Sequence, residues 1–197
     1  MNETGSIVEF FYNIVPGSLF ILFLKLFGID ISSLFAFNDP GVLIFQTIIL
    51  SLFFGFLFQS IVKIWRDEVG NSIIESQVVL KNKDIFDRIS RQINGKNYKD
   101  VDKGQTFKLM DAYLRGKIAA FLPTHFSSRF AFWSNLAVAL WVIALLQFFM
   151  TSCFDGWTPL LVLVGIMSAS LSKKYFYGYR DSTLKVYYMY VLKNRKI

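Results

Sequence analysis

The chain reads as an all-α polytopic membrane protein with four transmembrane helices and a helical cytoplasmic loop region, on three observations. Hydrophobic residues make up 54% of its 197 residues, with 22 Phe, and mean hydropathy is +0.44. That is more apolar side chain than a soluble domain of this length covers. Four apolar runs, about Val8–Phe27, Val42–Ile64, Phe132–Met150 and Thr158–Leu171, lie near the roughly 20 residues that a helix needs to cross the hydrocarbon core. The charges are sorted between the gaps: thirteen of the 21 Lys and Arg fall in Lys63–Arg129, seven lie from Lys173 to the C-terminus, and Lys25 stands apart.

The gaps Gly28–Gly41 and Thr151–Trp157 carry no Lys or Arg, only Asp30, Asp39 and Asp155. Cations accumulate on the cytoplasmic side of membrane proteins, so both termini and the Lys63–Arg129 region are expected in the cytoplasm. The chain then divides into a transmembrane hairpin (1–64), a cytoplasmic helical region (65–130), a second hairpin (131–175) and a basic, aromatic cytoplasmic C-terminal helix (176–197).

Along the first run, Glu3 and Glu9 precede the apolar residues and Lys25 follows them, an order that alone favours the opposite orientation. The loops outweigh it, and Lys25 snorkels to the outer headgroups. Asn13 and the pair Pro16–Gly17 predict a kink, and a re-entrant first segment is the alternative to a full crossing. Met1–Glu9 contain no Lys or Arg, and no small-x-small cleavage site appears, so this run is not read as a signal peptide.

The second run places small or polar residues at every fourth position, Thr47, Ser51, Gly55 and Gln59, and ends at Lys63. Such a row follows one ridge of a helix, and it serves either close helix packing or the wall of a water-filled pore in an oligomer. The fourth run repeats the theme in two small-xxx-small pairs, Gly165/Ala169 and Ser168/Ser172, read as helix-packing residues. Trp65, Trp133, Trp157, Tyr175 and Tyr177 fit interfacial anchors. Cys153, the single cysteine, excludes an intramolecular disulfide and reads as an interfacial apolar residue or as an intermolecular bridge.

Between the two hairpins the chain is patterned as helices. One continues from Trp65–Glu68 to about Leu80. A second, Asp84–Ile93, sets Ile85, Phe86, Ile89 and Ile93 against Asp84, Asp87, Arg88 and Arg91. A third, Gln105–Phe121, carries Phe107, Met110, Leu114, Ile118 and Phe121 at 3-and-4 spacing. Helices this short bury little alone, so they are expected to pack on one another, on neighbouring subunits or on the C-terminal segment. Lys108, Arg115 and Lys117, with Arg180 and Lys185 in a tail rich in Tyr, are candidate residues for an anionic ligand. A basic aromatic surface of this kind takes a nucleotide or oligonucleotide, or equally the headgroups of the lipid bilayer.

Catalytic chemistry is missing. His125 has no second His or Cys in a metal-ligand spacing, Ser127 and Ser128 have no base beside them, and no carboxylate falls in the middle of an apolar run. No phosphate loop or dinucleotide fingerprint is present. The expectation is a protein that is not an enzyme and uses no cofactor or metal.

In layout, carried by Pro16–Gly17, the Lys63–Arg129 region and the Lys173–Lys196 tail, the chain resembles the small four-helix membrane components of bacterial anti-phage defence systems, such as HalA of Hailong and KwaA of Kiwa. The resemblance implies a homo-oligomeric effector in the bacterial inner membrane that forms or gates an ion pathway, controlled from the cytoplasm by a nucleic-acid-type ligand or a partner protein. The alternative is a non-conducting membrane anchor or assembly scaffold. The orientation is testable: in a Cys153→Ser background, cysteine at Ser33 is expected to react with an impermeant thiol reagent added outside intact cells, and cysteine at Lys96 is not. Outside labelling at 96 reverses the topology.

Overall fold

A computed structural model describes residues 3–26, 28, 40–65, 71–94, 102–117, 123–151 and 157–193. Expectations about Cys153, Ile118, Phe121, the loop at 29–39 and the last four residues lie outside these. The described residues form seven α-helices: α1 Glu3–Leu26, α2 Pro40–Trp65, α3 Asn71–Lys81, α4 Lys83–Asn94, α5 Lys103–Lys117, α6 Pro123–Thr151 and α7 Trp157–Tyr187, which passes into a π-helical turn at Tyr188–Lys193. No strand occurs among them.

Local chemistry sets several of these boundaries. Pro40 and Pro123 open α2 and α6, where a missing N–H costs nothing and the fixed φ suits the first turn. Asp102 caps α5, its carboxylate accepting the Gly104 N–H at 2.9 Å. Asn82 joins α3 to α4: its own N–H reaches the Val78 carbonyl at 3.1 Å while its carbonyl accepts the Phe86 N–H at 3.0 Å. α1 runs unbroken through Pro16.

The chain separates into two compact units, residues 1–64 with 128–172 and residues 65–127 with 173–197. The first has a core of Phe20, Leu24, Phe58, Ala139, Leu140, Ile143, Ala144 and Leu161. Its outer surface is also apolar, with Phe45, Ile49, Phe53, Phe56, Leu145, Phe149, Leu163 and Met167 all exposed. Two helical stretches are long and apolar enough to cross a membrane, Gly41–Ile64, of which only 17% is buried, and Arg129–Met150; Phe10–Leu26 is a shorter apolar stretch.

In the first unit α1 and α2 run antiparallel with their backbones in contact. A Cβ added at Gly17 would overlap the Ser51 carbonyl and lie 2.9 Å from the Ser51 Cα, and one at Gly55 would overlap the Asn13 carbonyl and lie 2.8 Å from the Asn13 Cα. Pro16–Gly17 therefore marks a close approach, and α1 stays helical through it. The second unit is built on the predicted stripes. Val78, Phe86, Ile89, Phe107, Met110 and Leu114 are buried with Leu184, Tyr187 and Val191, so the short helices pack on one another and on the C-terminal part of α7.

The backbone contact gives a prediction. Neither carbonyl has a flexible end to move aside, so Gly17→Val or Gly55→Val is expected to destabilise the first unit by about 3 kcal/mol or more, the upper part of the overpacking range. Thermal unfolding in detergent reads this, and Gly28→Val is the control, since a Cβ at Gly28 has no atom within 4 Å, although its φ of +77° adds a local strain of its own.

Candidate functional site

The polar residues of the first unit are mostly engaged inside the chain. Thr47 donates to the Leu43 carbonyl at 2.8 Å, Ser51 to that of Thr47 at 2.6 Å and Ser60 to that of Phe56 at 2.9 Å. A hydroxyl closed on its own helix asks nothing of its surroundings. Ser18 adds a bond to the Ser51 hydroxyl at 3.0 Å. Asn135, fully buried on α6, donates to the Asn13 amide oxygen at 3.2 Å. Asn13 thus touches α2 through its backbone and α6 through its side chain, a junction of three helices.

The row on α2 divides accordingly. Ser51 and Gly55 are buried at the contact with α1, whereas Thr47, Gln59 and Lys63 are exposed. On α7, Gly165, Ser168 and Ser172 are buried and Ala169 is half-buried. Gly165 faces the Trp141 indole of α6, where an added Cβ would lie 2.6 Å from Cδ1. Ser168 returns its hydrogen bond to the Val164 carbonyl at 2.9 Å.

The charged chemistry gathers in the second unit. Arg180 and Glu75 form an ion pair at 2.7 Å, both side chains removed from water. The guanidinium also lies over Phe176, Phe107 and Tyr179, at 5.0, 5.2 and 5.5 Å from the ring centres, where the ring faces favour a cation. Burial pushes the Glu75 carboxyl above its ordinary range, with Arg180 opposing and the Asp102 carboxylate adding to the rise.

Beside this pair the Tyr179 hydroxyl donates to Asp111 and accepts from Arg115 Nη2 at 3.4 Å, while Arg115 Nε reaches the other Asp111 oxygen at 2.9 Å. Burial first, and then the bond to Asp111, raise the Tyr179 hydroxyl; the bond to Tyr179 is the main reason that the Arg115 guanidinium is held protonated more firmly than usual. A third group lies at Asp181, which accepts from Asn82 at 2.8 Å and from Lys185 at 2.6 Å.

The candidate anion-binding residues therefore differ among themselves. Arg180 is not a surface cation: Glu75 and three rings occupy it. Lys185 and Arg115 are exposed yet held by carboxylates on their own helices. Lys108 and Lys117 are exposed. Seven residues apart, Lys108 and Arg115 share one face of α5, and Lys117 points half a turn away. Among the described residues no group of three or more His, Cys, Asp or Glu is placed to hold a metal ion.

Glu75 and Asn135 belong to no motif, although both leave a sequence signal. Glu75 falls on the apolar stripe of α3 with Ile74 and Val78, and Asn135 interrupts the apolar run of α6. Comparison with protein-family models, with curated proteins and with solved structures finds no match.

Removing one partner of a buried pair strands the other charge. Glu75→Leu or Arg180→Met alone is expected to cost about 3–5 kcal/mol, and the double variant about 1 kcal/mol or less, since apolar side chains of similar volume replace such pairs well. Chemical denaturation of the four-member cycle measures both quantities. Additive losses in the double variant would dissolve the pair as an energetic unit.

Proposed function

We propose that this chain is a four-crossing bacterial plasma-membrane protein that assembles as a homo-oligomer and forms or gates an ion pathway, under control of its charged helical unit. In this reading α1, α2, α6 and the apolar first half of α7 cross the bilayer, with both termini in the cytoplasm. The apolar outer surface of the first unit supports the membrane assignment, because a water-soluble bundle would expose so many large apolar side chains only at an interface.

The observation that carries the assembly is Gln59. It is exposed on α2, about 8 Å along the axis from Ile64 at the helical rise, one turn from Phe56, which is also exposed. Unlike Thr47 and Ser60, an amide presents both donors and an acceptor that hydrocarbon cannot meet. A second copy or a file of water meets them. Lys63, one turn further on, lies where a cation belongs at a cytoplasmic mouth. Lys108 and Lys117, exposed on α5, are offered to an anionic, nucleic-acid-type ligand or to a partner protein. The resemblance in layout to membrane components of anti-phage systems points the same way and suggests a role in defence.

A second reading, a non-conducting anchor or scaffold, is favoured by the placement of Ser51, Gly55 and Gly165. These small residues are used against α1 and Trp141 of the same chain, which leaves fewer of them to line a pore.

Potassium release from liposomes containing the purified protein, with and without a single-stranded oligonucleotide, separates the two. The first reading expects release, and expects Gln59→Leu to lower it by about tenfold or more while insertion is kept. Silence with every probe supports the scaffold.

A further inference from the structure

Arg180 ties three helices together. Its charge pairs with Glu75 on α3 at 2.7 Å, its plane lies over Phe107 of α5, and Phe176 and Tyr179 of its own α7 enclose it. The other oxygen of the Glu75 carboxylate lies by the first turn of α5. A Cβ at Gly104 would lie 3.3 Å from Glu75 Oε2 and 3.3 Å from Asp102 Oδ1, so two carboxylates converge on the first turn of α5. The charged groups that face Glu75 are Arg180 from α7, Asp102 from the residues leading into α5 and Lys108 from α5 itself.

We propose that Glu75 and Arg180 form a proton-operated latch: proton uptake by Glu75 frees the Arg180 guanidinium and loosens α7 from α3 and α5 within the charged unit. While Glu75 is ionised, the two buried charges cancel. Once it is neutral, the guanidinium stays buried at a high cost without a close counter-charge, and its long stem lets it swing to water. Glu75 remains against the first turn of α5, where burial and the Asp102 charge both favour the protonated carboxyl.

The direction follows from linkage. Arg180 lowers the proton affinity of Glu75 in the latched form, and the released form lacks that influence, so acid shifts the balance toward release. Lys108 opposes protonation in both forms and does not reverse the sign. Because burial already places this carboxyl above its ordinary range, the latch answers at a pH where surface carboxylates are still ionised. Relative to the unfolded chain the sign is opposite: a raised carboxyl stabilises the fold below its unfolded pKa, and that stability is lost as pH rises through the folded one. Acid therefore opens the latch while the helices persist.

Hydrogen–deuterium exchange of the full chain in nanodiscs tests this. On going from about pH 7.5 to about pH 5.5, amides of residues 74–79 and 176–184 are expected to lose protection by about tenfold after correction for intrinsic exchange, while those of residues 135–147 keep theirs. Glu75→Gln should show that loss already at the higher pH and no further response. Should that variant fail to fold, Glu75→Leu with Arg180→Met decides, since it is expected to stay protected at both pH values. Wild-type protection that is unchanged with pH, or a double variant that responds as the wild type does, overturns the latch.

Discussion

Placing a hydrogen-bonding group among apolar atoms costs several kcal/mol unless a partner is placed with it, and that demand organises both units of this chain. In the first unit the answers are short-range. Hydroxyls of Thr47, Ser60 and Ser168 turn back on carbonyls one turn earlier, and two amides, Asn13 and Asn135, meet across a helix boundary. In the second unit the answer is a charge pair, with Arg180 supplying the cation and three aromatic rings lying against the guanidinium. Polar residues here are the points at which helices are held in register. The apolar side chains around them supply bulk without direction.

The two units solve helix packing differently because their side chains differ in size. Where α1 meets α2, glycine removes the side chain altogether and backbone meets backbone, so dispersion contacts are dense over a small area. In the charged unit Phe86, Phe107, Met110 and Leu114 interleave instead, the ordinary solution for amphipathic helices that have one face in water. A chain that reads apolar at one part and amphipathic at another thus acquires two kinds of core.

Much of this was legible from the residues in order. The apolar runs became α1, α2, α6 and the first half of α7. The 3-and-4 stripes of Phe86/Ile89 and Phe107/Met110/Leu114 became the buried faces of α4 and α5. Pro16–Gly17 was legible as a special position through its proline, the sign of a kink, and only the partner helix shows that glycine at 17 serves contact. The burial of Arg180 was not legible, for a physical reason. Composition around it, with Tyr179, Asp181 and Lys185 nearby, describes a wet surface, yet Phe176, Leu184 and Tyr187 on the same side of α7 describe a buried one. The pairing with Glu75 spans over a hundred residues, and no local pattern carries it.

The α1–α2 contact also limits how the first unit moves. One crossing point between two rods is a hinge, about which they scissor. Here there are two, Gly17 on Ser51 and Asn13 on Gly55, spaced by one helical turn, and two fixed points define a line. The pair therefore behaves as a single beam, stiff against both scissoring and sliding, because each glycine notch locks into a carbonyl ridge. Any rearrangement in this unit carries that beam as a whole, whereas the contact of α7 with α6 at Gly165 is made to a side chain, the Trp141 indole, and not to backbone.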